Sequence, residues 1–146
     1  VFIPAIGDPG WRKKLLAPLI KQGAAFYSYT RHASVAARAR LGQGVFLTPG
    51  VVISTDCEIG DYSYIDTYVI TGHDVRVGAY CMVGAMSFLA GGVCVEDGVA
   101  IHPRATIAKG IRVGMGSAVG IGSVVVKNVP PHVTVFGNPA RVIFAS

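Results

Sequence analysis

Every sixth residue from Val35 to Val125 carries an aliphatic side chain, with a single exception. The sixteen positions of this aliphatic column are Val35, Leu41, Leu47, Ile53, Ile59, Ile65, Thr71, Val77, Val83, Leu89, Val95, Ile101, Ile107, Val113, Val119 and Val125. A strict period of six is the sequence signature of a parallel β-helix, in which three hexads complete one coil. Each coil buries its aliphatic side chains only against the next coil, so the pattern predicts an all-β solenoid of about five coils.

A second column runs in the same phase, four residues further into each hexad. It begins at Ala39, ends at Val129, and holds only small or β-branched side chains. Such side chains fit a pleated surface that is buried on one side. The two columns together predict that the hexads run without an insertion from Val35 to about Pro130, and we place the β-helix at residues 33–131.

The first thirty residues do not follow the period of six. Asp8 and Pro9 have the form of a helix N-cap followed by the residue favoured in the first helical turn. The apolar spacing after them predicts a helix to about Gln22, with short strands at residues 1–6 and 26–29.

We therefore divide the chain into three parts. Residues 1–32 form a strand-helix-strand piece that resembles the remnant of an N-terminal α/β domain that binds a nucleotide sugar. Residues 33–131 form the solenoid, whose two open ends need to be covered. The N-terminal part would cover one end, and residues 132–146, a turn and a strand, would form a C-terminal cap over the other.

The composition excludes several kinds of partner. Apolar residues make up 51% of the chain, but they form a periodic column and never an apolar run of eighteen residues, which argues against a membrane-spanning helix. No secretory leader pattern opens the chain, which begins at Val1, so we expect a trimmed or partial protein in a cytoplasmic setting.

The net charge of +5 favours an anionic partner, yet the basic residues are scattered and not interleaved with aromatic residues. A phosphorylated small molecule is therefore predicted, and no nucleic acid.

The single exception in the aliphatic column points to chemistry. Its hexad reads Thr71, Gly72, His73, Asp74, Val75, Arg76. Histidine is the side chain best suited to accept a proton near neutral pH, so His73 is our candidate general base. Asp74 could orient the imidazole ring and stabilise its charged form. Adjacent residues of a strand point to opposite faces, so the two side chains could meet only at a corner of the solenoid.

Stacking of the coils predicts a groove beside this pair. Residues eighteen apart lie above one another, which gives the column Thr55, His73, Gly91, Lys109, Lys127. Gly91 has no side chain and would leave room beside His73 for a long carrier molecule lying along the solenoid. Lys109 and Lys127 would pair with phosphates at the far end of that carrier. A phosphorylated thioester carrier such as coenzyme A fits this groove.

Several motifs resemble a known family. Hexads with Gly after the aliphatic residue, and the end of the chain, resemble the left-handed β-helix acyltransferases: Ile59-Gly60, Val77-Gly78, Val83-Gly84, Val113-Gly114, Val119-Gly120 and Gly137-Asn138-Pro139-Ala140-Arg141. Three other segments are similar to the sialic-acid and bacillosamine type of sugar acetyltransferase: Ala5-Ile6-Gly7-Asp8 through Arg12, His32-Ala33-Ser34 and Gly72-His73-Asp74.

This resemblance implies a left-handed coil, a homotrimer, and acetyl-coenzyme A as cosubstrate in a groove between neighbouring solenoids. The implied reaction is N-acetylation of an amino sugar that is linked to a nucleotide, with O-acetylation of a sialic-acid-like sugar as the second choice. Backbone N–H groups near Gly91 would stabilise the developing oxyanion. Relatives often carry Asn seven residues before the catalytic His and a polar residue nine after it. Here those substrate-binding positions hold Asp66 and Met82.

Two alternatives from other classes remain open. The γ-type carbonic anhydrases share this solenoid and bind zinc through three histidines, two of them five residues apart. His32, His73, His102 and His132 show no such spacing, so we predict no metal site and structural or solvated roles for the other three. A scaffold solenoid without catalysis would carry Ile or Val in place of Thr71 and no His-Asp pair after it.

Overall fold

The computed structural model describes residues 1–145. One helix, α1, spans Pro9–Lys21. Sixteen strands of two residues each follow it: β1 (Ser34–Val35), β2 (Arg40–Leu41), β3 (Phe46–Leu47), β4 (Val52–Ile53), β5 (Glu58–Ile59), β6 (Tyr64–Ile65), β7 (Ile70–Thr71), β8 (Arg76–Val77), β9 (Met82–Val83), β10 (Phe88–Leu89), β11 (Cys94–Val95), β12 (Ala100–Ile101), β13 (Thr106–Ile107), β14 (Arg112–Val113), β15 (Ala118–Val119) and β16 (Val124–Val125). A hairpin of β17 (Val133–Gly137) and β18 (Ala140–Ala145) ends the described chain.

The short strands stack into three parallel sheets, which form the three faces of a prism. Face 1 contains β1, β4, β7, β10, β13 and β16, and face 2 contains β2, β5, β8, β11 and β14. Face 3 contains β3, β6, β9, β12 and β15, followed by β17 and β18. Paired residues lie eighteen positions apart, as Val35 and Ile53 do. The fold is the left-handed parallel β-helix that the sequence predicted.

The aliphatic column forms the core of the prism. From Leu47 onward its members are buried, and Thr71 is buried among them. The second column lies beside it, and most of its polar members make hydrogen bonds to the coil that follows. Ser63 Oγ, for example, donates to the carbonyl of Gly78 at 2.7 Å and accepts from the N–H of Cys81 at 3.0 Å. A small polar side chain in this column therefore replaces apolar packing with hydrogen bonds between coils.

The last coil departs from the predicted register. Val129 forms a bridge with Val113, sixteen positions earlier, and Val135 of β17 pairs with Val119 at the same interval. The turn after Val125 is thus two residues shorter than the turns before it. The expectation that unbroken hexads continue to Pro130 is therefore wrong beyond Val125, and Val129 takes a place in the aliphatic core instead of the second column.

The N-terminal residues contain the predicted helix but not the predicted strands. Asp8 caps α1 by accepting from the backbone N–H of Trp11 at 2.7 Å, as its N-cap pattern predicted. Phe2 and Phe26 form one parallel bridge, and a second bridge joins Tyr29 to β3. Single bridges replace the strands expected at residues 1–6 and 26–29, because most backbone N–H groups in these segments have no parallel partner chain beside them.

A buried arginine attaches α1 to the solenoid. Arg12 has no exposed surface, and its guanidinium donates to the carbonyls of Ile6, Gly7, Tyr80 and Cys81, the last two at 2.9 and 2.7 Å. Desolvation by this burial lowers the pKa of Arg12 to about 10.

Within residues 1–145 there is no helix that is both long and apolar enough to cross a bilayer.

Candidate active site

The predicted His-Asp pair lies at the corner where the chain passes from face 1 to face 2. Residues 72–75 form the turn between β7 and β8. Asp74 adopts a left-handed backbone conformation with φ of 57°, which turns its side chain back toward the residue before it. His73 Nδ1 and Asp74 Oδ2 lie 2.6 Å apart, and both side chains are more than half exposed, at 56% and 62%. The corner thus brings together two neighbours that a straight strand would separate.

Gly91 lies directly against the imidazole ring. A β-carbon placed on Gly91 would come 2.6 Å from Nε2 and 2.9 Å from Cε1 of His73, far inside van der Waals contact. The imidazole of His73 therefore occupies the space that a side chain at residue 91 would fill. The absence of a side chain at Gly91 accommodates the ring of His73. The predicted role of Gly91 in making room for a carrier molecule stays a prediction.

Backbone hydrogen bonds confirm part of the predicted column at this corner. The carbonyl of Thr55 accepts from Asp74 at 3.1 Å, that of His73 from Gly92 at 2.8 Å, and that of Gly91 from Gly110 at 3.0 Å. The series ends with Lys109, whose side chain is exposed.

Lys127 does not continue this column in the predicted register. Its turn belongs to the shortened last coil, and there the N–H of Arg112 donates to the side chain of Asn128 at 2.9 Å. Lys127 instead lines a small groove together with Arg141 of the C-terminal hairpin. A two-residue deletion moves every later position relative to the coil before it, which the unbroken period could not reveal.

Asp66 and Met82 lie elsewhere on the prism. Asp66 occupies the corner between face 3 and face 1, where its Oδ1 accepts from the N–H of Thr67 at 2.7 Å. Met82 belongs to β9 on face 3. Within one chain, the described structure does not bring either of them to the corner that carries His73.

A groove with charged walls borders the site on face 2. A space of about 210 Å³ lies between Asp74, Arg76 and Arg112. Arg112 also pairs with Glu96 at 2.6 Å, and this hydrogen bond, with a second one from the N–H of Met115, lowers the pKa of Glu96. Sequence reasoning did not identify these arginines, although their recurrence on one face follows from the period.

The remaining histidines lie apart from one another. Between residues 1 and 145, no three side chains of His, Cys, Asp or Glu are grouped so that they could hold a metal ion. His32 and His132 both adopt the left-handed backbone conformation of turn residues. At the His73 corner, Nδ1 is held by the carboxylate of Asp74, and an imidazole oriented in this way can accept a proton at Nε2.

Comparison with known proteins places these features in a family. Residues 56–91, which include His73 and end at Gly91, match the family model for bacterial transferase hexapeptide (six repeats). The chain is similar to PerB from Caulobacter crescentus, solved in complex with CoA and GDP-perosamine, with 37% identity and a TM-score of 0.92. That match covers 94% of this chain and 67% of PerB. WeeI from Acinetobacter baumannii AYE is 30% identical with a TM-score of 0.90, over 95% of this chain and 68% of WeeI.

Curated sequences give a related result. An acyl-[acyl-carrier-protein]–UDP-N-acetylglucosamine O-acyltransferase of Ectopseudomonas mendocina (strain ymp) is 36% identical over 100 residues. Those residues are 68% of this chain but only 39% of that protein. The matched residues thus cover well under half the length of that curated relative.

Proposed function

Because the chain belongs to the hexapeptide-repeat sugar acetyltransferases, we propose that it transfers the acetyl group of acetyl-coenzyme A to the amino group of a sugar linked to a nucleotide, with His73 as general base. The observation that carries the proposal is the hydrogen-bonded pair of His73 and Asp74, exposed at a corner with the imidazole against Gly91.

This geometry supports the following proposed reaction. Nε2 of His73 removes the proton from the acceptor amine as the nitrogen bonds to the carbonyl carbon of the thioester. The carbon–sulfur bond then breaks, and the proton passes from His73 to the sulfur of coenzyme A. Asp74 keeps Nδ1 as the hydrogen-bond donor to its carboxylate, which leaves Nε2 as the basic nitrogen and stabilises the ring when it is protonated. This chemistry needs a proton acceptor and an adjacent carboxylate that orients it, and His73 and Asp74 supply these two groups.

A backbone donor lies beside the base. The N–H of Gly91 donates to no carbonyl or side chain within residues 1–145. Gly72 in the coil before it has no side chain, and a β-carbon there would come 2.5 Å from that nitrogen. The N–H is thus approachable, and we assign it to the oxyanion that forms on the thioester carbonyl.

The lysines support binding of the phosphorylated carrier. Lys109 is exposed one coil beyond Gly91, at the same corner, where it would meet a phosphate of a coenzyme A molecule whose thioester lies at His73. Lys127 lies further along the prism beside Arg141, and would add positive charge near the far end of the carrier. PerB, with which this chain shares 37% identity, is known in complex with CoA.

The proposed acceptor is supported by the same relative. PerB was also solved with GDP-perosamine, an amino sugar linked to a nucleotide. We propose that residues 1–32, in which α1 is attached to the solenoid through Arg12, correspond to the last part of a nucleotide-sugar-binding domain. A reaction between acetyl-coenzyme A and a nucleotide sugar agrees with the cytoplasmic setting that the sequence predicts.

A homotrimer would complete the site. Face 1, next to the corner of His73, presents a stacked row of exposed apolar side chains, Val52, Ile70 and Phe88. Contact between solenoids would bury this row and set the His73 corner of one chain near another face of its neighbour. Asp66 and Met82 could then reach the acceptor sugar only across the boundary between chains.

O-acyl transfer is the second candidate. The curated relatives at 36% identity are O-acyltransferases that act on UDP-N-acetylglucosamine. The same His73 could remove a proton from a sugar hydroxyl, so the arrangement of the base does not distinguish the two acceptors.

The test is a matched panel of nucleotide sugars. We would measure coenzyme A release with a thiol reagent, and product mass, for nucleotide-linked amino sugars and for the same sugars with a hydroxyl in place of the amine. The proposal predicts an increase in mass of one acetyl group on the amino sugars only. Acetylation of the hydroxyl sugars alone would favour O-acyl transfer, and no acetylation of either set would contradict both proposals.

A further inference from the structure

The buried exception in the aliphatic column makes a specific set of hydrogen bonds. Only 3% of the surface of Thr71 is exposed. Its hydroxyl oxygen accepts from the N–H of Ser54 at 3.0 Å and lies 3.4 Å from the carbonyl oxygen of Val52, to which it donates. The sulfur of Cys57 lies 3.4 Å from the same hydroxyl and donates to the carbonyl of Gly72 at 3.1 Å. The polar side chain is therefore satisfied inside an apolar core.

These bonds interrupt the backbone ladder at one position. From Ile53 to Val125, each carbonyl of the aliphatic column accepts an N–H from the residue seventeen positions earlier. Thr71 is the single exception in the described part of the chain. The N–H of Ser54, which would reach the Thr71 carbonyl in a regular coil, goes to the Thr71 hydroxyl instead.

Strand pairing shows the same asymmetry. Toward the coil before it, β7 keeps only the pair of Ile70 with Val52. Toward the coil after it, β7 pairs at both residues, Ile70 with Phe88 and Thr71 with Leu89. The end of β7 is thus joined to the following coil through its backbone, and to the preceding coil through the hydroxyl of Thr71.

The interruption comes two residues before the catalytic base. The turn that begins there carries His73, whose carbonyl accepts from Gly92 and whose ring lies over Gly91, both in the following coil. The same turn keeps one backbone bond to the preceding coil, from the N–H of Asp74 to the carbonyl of Thr55. Resting on the proposed function, we propose that Thr71 is a positioning residue. Its hydroxyl accepts the hydrogen bond that the N–H of Ser54 would otherwise donate to the backbone carbonyl of residue 71. This exchange sets the path of the turn and the position of the imidazole over Gly91.

An aliphatic residue at this position would have a different effect. Val in place of Thr71 has nearly the same shape but cannot accept the N–H of Ser54 through its side chain. The amide would then pair with the backbone carbonyl of residue 71, as in the other coils, and draw the start of the turn toward the preceding coil. His73 would shift while the core stayed filled.

The first test is a set of variants at this position. Thr71→Val should lower kcat by about tenfold to a hundredfold, since a displacement of about 1 Å at a reacting group has effects of that order. The thermal midpoint should stay the same or rise, and KM for acetyl-coenzyme A should change little. Thr71→Ser, which keeps the hydroxyl, should restore kcat. If Thr71→Val does not fold, Thr71→Ala gives the same comparison without the added methyl group.

Ser63→Ala is the matched control. Ser63 is buried, and its hydroxyl also accepts a backbone N–H, from Cys81, but it lies in the turn between face 2 and face 3. Its loss should lower the thermal midpoint and leave kcat unchanged, the reverse of the result for Thr71→Val. Equal kcat in Thr71→Val, Thr71→Ser and the parent would overturn the proposal.

A second measurement does not depend on acetyl transfer. The imidazole nitrogen resonances of His73, assigned among four histidines by comparison with His73→Ala, report its hydrogen bond to Asp74. They should shift in Thr71→Val and stay at the parent positions in Thr71→Ser and Ser63→Ala. Unchanged resonances in Thr71→Val would overturn the positioning role. If the parent protein transfers no acetyl group, these resonances still decide the role of Thr71, and only the proposed function fails.

Discussion

The imidazole of His73 occupies the space in which Gly91 would carry a side chain, because a β-carbon at residue 91 would come 2.6 Å from Nε2. Gly91→Ala is therefore expected to displace the ring and to lower kcat by about tenfold to a hundredfold. Steady-state kinetics with varied acetyl-coenzyme A would separate this effect from loss of carrier binding. A raised KM with an unchanged kcat would instead support the view that Gly91 makes room for the carrier.

Asp74 is expected to matter less than His73. Its carboxylate accepts from Nδ1 at 2.6 Å, so Asp74→Asn keeps a possible acceptor but removes the charge that stabilises protonated His73. We expect kcat to fall by about tenfold, below the range of about 10² to 10⁴ for loss of a general base. Single and double variants of the pair would be compared. If the two effects on log kcat simply add, the residues do not act as a unit.

The period of six predicted most of the fold because the repeated side chains can be buried in only one way. It placed His73, Asp74 and Gly91 at one corner, since the rule of eighteen residues per coil follows from the same period. It could not predict that the ring of His73 lies over Gly91, because a repeat fixes backbone stacking but not side-chain rotamers. The two-residue deletion after Val125 was also missed, since Val129 is apolar in either register.

Arg12 shows another limit of sequence reasoning. The sequence identified Arg12 only as the end of the motif that begins at Ala5. Its hydrogen bonds to Tyr80 and Cys81 join residues that are 68 and 69 positions apart. No local pattern of residues predicts a contact of that length. Thr71, in contrast, was visible as the broken position of the column, although its exchange of a backbone bond for a hydroxyl bond needed the structure.

Removal of Arg12 is expected to detach α1. Arg12→Met leaves buried carbonyls without donors and should cost about 3 kcal/mol, the scale for hydrogen bonds to a charged group. Urea unfolding followed by the fluorescence of Trp11, the one tryptophan in the chain and a residue of α1, reports this part directly. Arg38→Met, which removes an exposed pair with Asp56, is the control and should change stability by about 0.5 kcal/mol or less. Equal midpoints for the two variants would show that Arg12 does not hold the helix.

Lowering the pH should reduce the stability of the folded protein through Glu96, which pairs with Arg112 on face 2. The hydrogen bond from Arg112 lowers the pKa of Glu96 in the folded protein, so ionised Glu96 favours the folded state above the ordinary glutamate pKa. This contribution is lost as the pH falls through the lowered pKa. Thermal midpoints would be measured from about pH 6 down to about pH 3, a range that extends below the ordinary glutamate pKa.

In Glu96→Gln the midpoint should depend less on pH over the acid part of that range than in the parent. Glu58→Gln, at a glutamate on the same face that forms no ion pair within residues 1–145, is the control and should keep the parent's pH dependence. Identical curves for the parent and Glu96→Gln would contradict the stabilising role of the pair.

The role of His73 as general base is tested most directly by acetyl transfer in His73→Ala. With acetyl-coenzyme A and an amino sugar that the parent acetylates, we predict that kcat falls by about 10² to 10⁴. Because the side chain is exposed, the thermal midpoint should match that of the parent. His102→Ala, at an exposed histidine in the turn between face 3 and face 1, should keep the parent's rate. A folded His73→Ala protein with the parent's rate would contradict the account.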